Sequence, residues 1–131
     1  MWPFAHRGAG PLGRRGEKLA RRFLKRRGLK ILAENYRCPR GEVDLIALDR
    51  STRRQDGAET ICFVEVKTRT SDRYTDPESA VNADKQRRVK KAAEYYLASR
   101  DTGGFNVRFD IISIVMPGGD EPRIGYVPNA F

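Results

Sequence analysis

Four ionisable residues stand out against a basic chain: Glu17, Asp44, Glu65 and Lys67. Glu65 and Lys67 lie two positions apart in Phe63-Val64-Glu65-Val66-Lys67-Thr68. That stretch reads as a strand with Phe63, Glu65 and Lys67 on one face and Val64, Val66 and Thr68 on the other. Ile61 and Cys62 precede it, so both faces look buried, the pattern of a central strand. A carboxylate and an ammonium are costly there unless a metal ion, a phosphate or their mutual pairing compensates. Mg²⁺ and Mn²⁺ take oxygen ligands, and Mg²⁺ is usually held by one or two carboxylates plus water and substrate phosphate. Asp44 and Glu65 fit that role, with the backbone carbonyl of Val66 as a further oxygen. Such an ion polarises a phosphoryl oxygen and acidifies water. A lysine beside that water, here Lys67, orients it, assists its deprotonation or stabilises the charge that develops. The chemistry is phosphodiester hydrolysis.

The elements around these residues decide whether they meet. Glu42 to Leu48 alternates, with Val43, Leu45 and Ala47 on one face and Glu42, Asp44, Ile46 and Leu48 on the other. Residues 49–58 are polar and read as a loop. If this strand and Thr60–Thr68 form an antiparallel hairpin, Asp44 falls opposite Glu65 to within one residue, and opposed residues share a face. Lys67 is on that face and Glu42 is nearby. Two like charges side by side are destabilising, and a divalent cation gives a reason for them. A helix over residues 14–27 carries the apolar stripe Leu19, Ala20, Phe23 and Leu24 and stops at Gly28. Glu17 lies on the border of the stripe, facing the sheet or its rim; taken alone it reads first as a first-turn acid favoured by the helix dipole.

Leu29–Tyr36 is a strand leading to a turn over residues 37–41. Asp76-Pro77-Glu78 reads as a short helical turn, and Asn82 caps a helix running to about Ser99. Its buried stripe is Val89, Ala92, Ala93, Tyr96 and Leu97, which Gln86 extends by one turn. Lys85, Arg87, Arg88, Lys90 and Lys91 cover its flanks, as a solvated basic face or as a phosphate-binding surface. Phe105–Met116 is a strand, residues 117–120 a turn and Arg123–Val127 a last strand. The order is one helix, three strands, one helix and two strands. That predicts an α/β domain over residues 14–131, a mixed sheet with helices on it, behind a loose arm over residues 1–13.

The chain has 131 residues, a net charge of +9 and a pI near 10.0. A domain this basic points to a polyanionic partner, with nucleic acid foremost. Cys38 and Cys62 read as reduced packing residues. Two cysteines and His6 are too few for structural zinc. No apolar run reaches the roughly 20 residues of a membrane span. The first residues lack the apolar core of a signal peptide, and the expectation is a cytoplasmic protein.

Gly16-Glu17 with Leu19-Ala20, Asn35-Tyr36-Arg37, Gly41–Ala47, Phe63–Arg69, Lys85–Arg88 and Arg108-Phe109-Asp110 together resemble the YraN family of small proteins. That family is similar to the restriction-endonuclease-like superfamily, with its Asp…Glu-x-Lys core, and especially to its Holliday-junction resolvase branch. The resemblance implies a restriction-endonuclease-like core: a mixed central sheet of about five strands flanked by helices. It implies Glu17, Asp44, Glu65 and Lys67 as the metal and catalytic set, with Gln86 as an accessory. The expected activity is Mg²⁺- or Mn²⁺-dependent cleavage of DNA, branched or single-stranded. Asp44, Glu65 and the Val66 carbonyl would hold the metal, and Glu17 would support a second ion or the attacking water. The residues expected against nucleic acid are Arg14, Arg15, Lys18, Arg69, Lys85, Arg87, Arg88 and Lys91. A homodimer follows by analogy with resolvases, which cut two symmetry-related strands. Two other readings stay open: a non-catalytic nucleic-acid-binding module on the same fold, and a purely structural Glu65–Lys67 ion pair.

Overall fold

The computed structural model describes residues 10–70, 81–117 and 121–131. Helix α1 spans Pro11–Arg26, with proline at its start, where its missing N–H costs nothing. It ends at Gly28, whose φ of +89° suits a glycine C-terminal stop. Strands β1 (Lys30–Cys38) and β2 (Gly41–Asp49) follow. A 3-10 turn (Arg50–Thr52) and a short helix α2 (Arg53–Asp56) then lead to β3 (Thr60–Arg69). Helix α3 (Ala83–Ala98) connects to β4 (Asn106–Val115) and β5 (Arg123–Val127). The sheet has five strands in the order β1-β2-β3-β4-β5. It is mixed: β3 and β4 are parallel and the other neighbours antiparallel. A parallel pair needs a crossover, and α3 lies in that connection. The architecture is an α/β restriction-endonuclease-like core.

The helices cover opposite faces. Ala20 and Leu24 of α1 pack on Leu45, Ala47, Cys62, Val64, Ile112 and Ile114. Val89, Ala92, Ala93 and Tyr96 of α3 pack on Ile46, Ile61 and Phe63. Both cysteines are free and buried, one in each layer, as expected of packing residues. Each helix touches the sheet through a glycine. A Cβ on Gly16 would stand 1.8 Å from Thr68 Oγ1, and one on Gly41 would stand 1.9 Å from the carbonyl oxygen of Arg88. On β4, Asp110 is fully buried and receives Arg108 Nε and Nη2 at 2.9 and 3.1 Å, the Tyr126 hydroxyl and the Asn129 N–H. Arg108 also reaches Asp49 at 3.1 Å, tying β4 to the end of β2.

Several expectations change in detail. Helix α1 starts at Pro11, three residues earlier than its apolar stripe indicated, so its first turn holds no acid and Glu17 lies deep in the helix. The dipole therefore does not account for Glu17. Arg37 and Cys38 belong to β1, and only Pro39 and Arg40 make the turn. The polar stretch after β2 is partly helical. Val43 packs under α3, not with Leu45 and Ala47 under α1. The Asp76-Pro77-Glu78 turn, most of the 117–120 turn and residues 1–9 of the arm lie outside the described residues. Among those described, no helix is long and apolar enough to cross a membrane.

Candidate metal and phosphate site

The site forms where β2 and β3 stop pairing regularly. Their ladder runs from Asp49↔Thr60 to Leu45↔Val64, so Asp44 and Glu65 are the next two residues out. Beyond it, side chains take over the bonding. Asp44 Oδ2 accepts from the Val66 N–H at 2.8 Å, and Glu65 Oε1 accepts from the Asp44 N–H at 3.2 Å. A break in alternation puts Asp44 there. In β1, Asn35 adopts φ +49°, a left-handed conformation that asparagine tolerates better than most residues. Ala33 and Tyr36 flank it and both pack under α3, although three positions apart. Neighbouring β2 repeats the shift, with Val43 and Ile46 both under α3.

The two faces of the sheet meet at this end. Glu17 arrives on α1, with the close Gly16–Thr68 approach beside it. Lys85 arrives in the first turn of α3, whose cap residue Asn82 accepts the Lys85 N–H at 2.9 Å. A cleft of about 350 Å³ opens between them, lined by Glu17, Asn35, Asp44, Glu65, Lys67 and Lys85 among others. Arg37 and Arg88 line it too, giving it both signs of charge.

Glu65 is 3% exposed. Burial and then the adjacent Asp44 charge push its carboxyl well above the ordinary range, against the pull of Lys85. Burial also raises Asp44, opposed by the Val66 N–H and by Lys85. Glu17 is raised by burial and by Asp44, while a hydrogen bond from the Asn35 side chain and the charge of Arg37 oppose this. For Lys85, burial pulls the ammonium down, but Glu65, Asp44 and Glu42 outweigh it and the net direction is up. Three carboxyl groups held above their usual range beside one half-buried lysine mark a place short of positive charge.

A family model described as uncharacterised protein family UPF0102 matches residues 16–114, from the Gly16 contact to the end of β4. The chain belongs to this family. A UPF0102 protein of Geobacter metallireducens is 46% identical over 120 residues, covering 92% of this chain and 91% of its own length. One from Nocardia farcinica is 41% identical over 120 residues, with 92% and 88% covered. One from Trichlorobacter lovleyi is 37% identical over 129 residues, with 98% and 96% covered. The similarity to UPF0102 proteins thus runs through every element that borders the cleft.

In this UPF0102 chain the residues singled out from sequence do not all meet. Glu17, Asp44, Glu65, Val66, Lys67, Lys85 and Arg88 line the cleft. Gln86 is not in its lining; its Nε2 donates to the Val81 carbonyl at 3.1 Å. Arg14, Arg15 and Lys18 are exposed on α1, and Arg69 is half-buried at the end of β3. Arg87 and Lys91 are exposed on α3, paired with Asp84 and Glu94. The expected hairpin neighbours Asp44 and Glu65 do adjoin. The structural Glu65–Lys67 pair does not form: Lys67 is exposed and has no ion pair among the described residues, while Glu65 Oε2 meets Lys85 Nζ at 3.3 Å. An extended strand points residues 65 and 67 the same way but roughly 7 Å apart, whereas α3 lowers Lys85 onto Glu65 from above. Asn35 and Arg37 were not singled out for the site. Both belong to the Asn35-Tyr36-Arg37 motif, which was the available signal.

A divalent cation fits the donor set: the buried Glu65 carboxylate, the half-buried Asp44 carboxylate and the Val66 backbone, which all line the cleft. Among the described residues no three His, Cys, Asp or Glu side chains converge on one metal position. Glu17 therefore does not complete a protein cage with Asp44 and Glu65. Two carboxylates with open remaining positions is how Mg²⁺ is commonly held.

Proposed function

We propose that this protein is a Mg²⁺- or Mn²⁺-dependent nuclease that hydrolyses DNA phosphodiester bonds. The observation that carries the reading is the half-buried Asp44 joined to the buried Glu65, in a cleft that also presents Lys67, Arg37 and Arg88. A divalent cation bound there supplies polarisation of a phosphoryl oxygen and lowers the pKa of water. Asp44, Glu65 and the Val66 carbonyl are the groups to hold it. Lys67, exposed at the end of β3, orients the attacking water and steadies the charge that develops on the phosphate. Glu17 lines the same cleft and would support a metal-bound water or a second ion there. Arg37 and Arg88 meet phosphate oxygens, and the +9 net charge brings the polyanion in. Branched or single-stranded DNA is the substrate class we propose.

The test is cleavage of labelled junction, flap, single-stranded and plasmid substrates with Mg²⁺ or Mn²⁺. Glu65→Ala and Lys67→Ala are expected to lower cleavage by at least about a hundredfold. Equal activity in both variants would sink the reading. Retention of DNA binding with no cleavage by the wild type under any metal would favour a non-catalytic binding module.

A further inference from the structure

Lys85 does something a phosphate-facing lysine has no reason to do. Its ammonium lies 3.3 Å from Glu65 Oε2 and 3.6 Å from Glu42 Oε1. The first partner is buried to 3% exposure, whereas the Glu42 side chain is 18% exposed and is also approached by Arg37 at 3.5 Å. The Lys85 backbone is pinned by the Asn82 cap, but its side chain keeps 26% of its surface open. A lysine head on a long stem moves outward without moving its helix. Lys85 thus has an inner carboxylate at the proposed metal position and an outer one immediately beside it.

We infer that Lys85 is an exchangeable counter-ion of Glu65: in the metal-free protein its ammonium neutralises the buried carboxylate, and it withdraws toward Glu42 when a divalent cation takes over that task. The inference rests on the reading of Asp44 and Glu65 as a divalent-cation site. Three features support it. Glu65 cannot stand buried and charged alone. An ammonium within ion-pair distance of Oε2 and a metal ion on the same oxygen repel each other. Glu42 gives the displaced head a carboxylate it already touches, so withdrawal leaves no lone charge. Metal loading then shifts the Lys85 ammonium from Glu65 to Glu42.

The test uses the full chain. Mn²⁺ is titrated by electron paramagnetic resonance into the wild type, Lys85→Met and Lys67→Met, and each metal-free form is melted. Lys85→Met is expected to bind Mn²⁺ about tenfold more tightly, the equivalent of ~1.4 kcal/mol, and to melt lower than the wild type without metal. Lys67→Met removes a cation from the same cleft without touching Glu65 and is expected to change affinity by no more than about threefold. In the wild type, Mg²⁺ is expected to speed exchange of the Lys85 ammonium protons with water, followed by ¹⁵N NMR, a readout that needs no variant to fold. Unchanged or weaker Mn²⁺ binding by Lys85→Met, or ammonium exchange indifferent to Mg²⁺, overturns the role of Lys85 and leaves the site standing. Mn²⁺ binding absent from the wild type, or unaffected by Asp44→Asn, overturns the site and the inference together.

Discussion

Gly16→Ala tests how tightly α1, and with it Glu17, is set against the sheet. The added methyl would lie 1.8 Å from Thr68 Oγ1, 2.9 Å from Thr68 Cβ and 3.0 Å from Thr68 Cγ2, where ordinary contact is 3.4 Å or more. Rotating the threonine relieves the first contact. It cannot relieve the second, because Cβ does not move with χ1, so α1 must retreat by a few tenths of an ångström. Overpacking of this kind costs ~1–3 kcal/mol. Alanine in place of a helical glycine returns ~0.8–1.0 kcal/mol. The net expectation is a loss of about 1 kcal/mol, or about 4 °C in Tm for a domain of this size. Urea unfolding of Gly16→Ala, Thr68→Ala and the double variant measures it. Thr68→Ala deletes two of the three contacts, so the pair should couple favourably by at least about 0.5 kcal/mol. The double variant then recovers part of the propensity gain. A stabilised single variant with additive behaviour in the double would refute the close packing. Any nuclease activity should fall in Gly16→Ala and return in the double variant, since the retreat moves Glu17 relative to the rest of the cleft.

The raised carboxyl of Glu65 predicts a pH dependence. Its folded value exceeds the ordinary 4.5, so the native state holds its proton where the unfolded chain has released it. The contribution favours folding at low pH and is lost as pH rises from about 4.5 through the raised folded value. Denaturant midpoints of the metal-free protein across that window should therefore fall with pH. Glu65→Gln should flatten the slope and raise the midpoint above that window; an unchanged slope would refute the assignment. The Arg108–Asp110 pair is separate from the cleft and makes the opposite prediction. Asp110→Asn leaves Arg108 without its buried bidentate partner, at a cost of ~3–5 kcal/mol by urea unfolding, while Mn²⁺ affinity of the folded fraction stays at the wild-type value. A parallel loss of Mn²⁺ binding would mean that the two networks are coupled.

Local pattern already determined much of this molecule. Alternation and turn residues placed β3, β5 and the Asn82-capped helix nearly to the residue. Hairpin symmetry was enough to bring Asp44 beside Glu65, because the register of two adjacent antiparallel strands follows from the midpoint of their loop. The order of helices and strands extended that to the mixed sheet. Other features depended on packing between elements distant in the chain. Asn35 carries no periodic signal that fixes a positive φ, yet that one dihedral goes with the switch of side in β1 and β2 around the site. Lys85 belongs to a basic run that reads as solvated; only the seating of α3 on the sheet, through Gly41 against the Arg88 carbonyl, turns it toward Glu65. Gln86, its neighbour, is turned by the same helix to the Val81 carbonyl. Glu17 was ambiguous until the start of α1 was known. Sequence periodicity reports which face of an element is apolar, and so it determined the layers and the carboxylate pair. It does not report which charge a face meets across a gap of three ångströms, and that distance, on which Coulomb energy and metal binding depend, was decided by the tertiary structure.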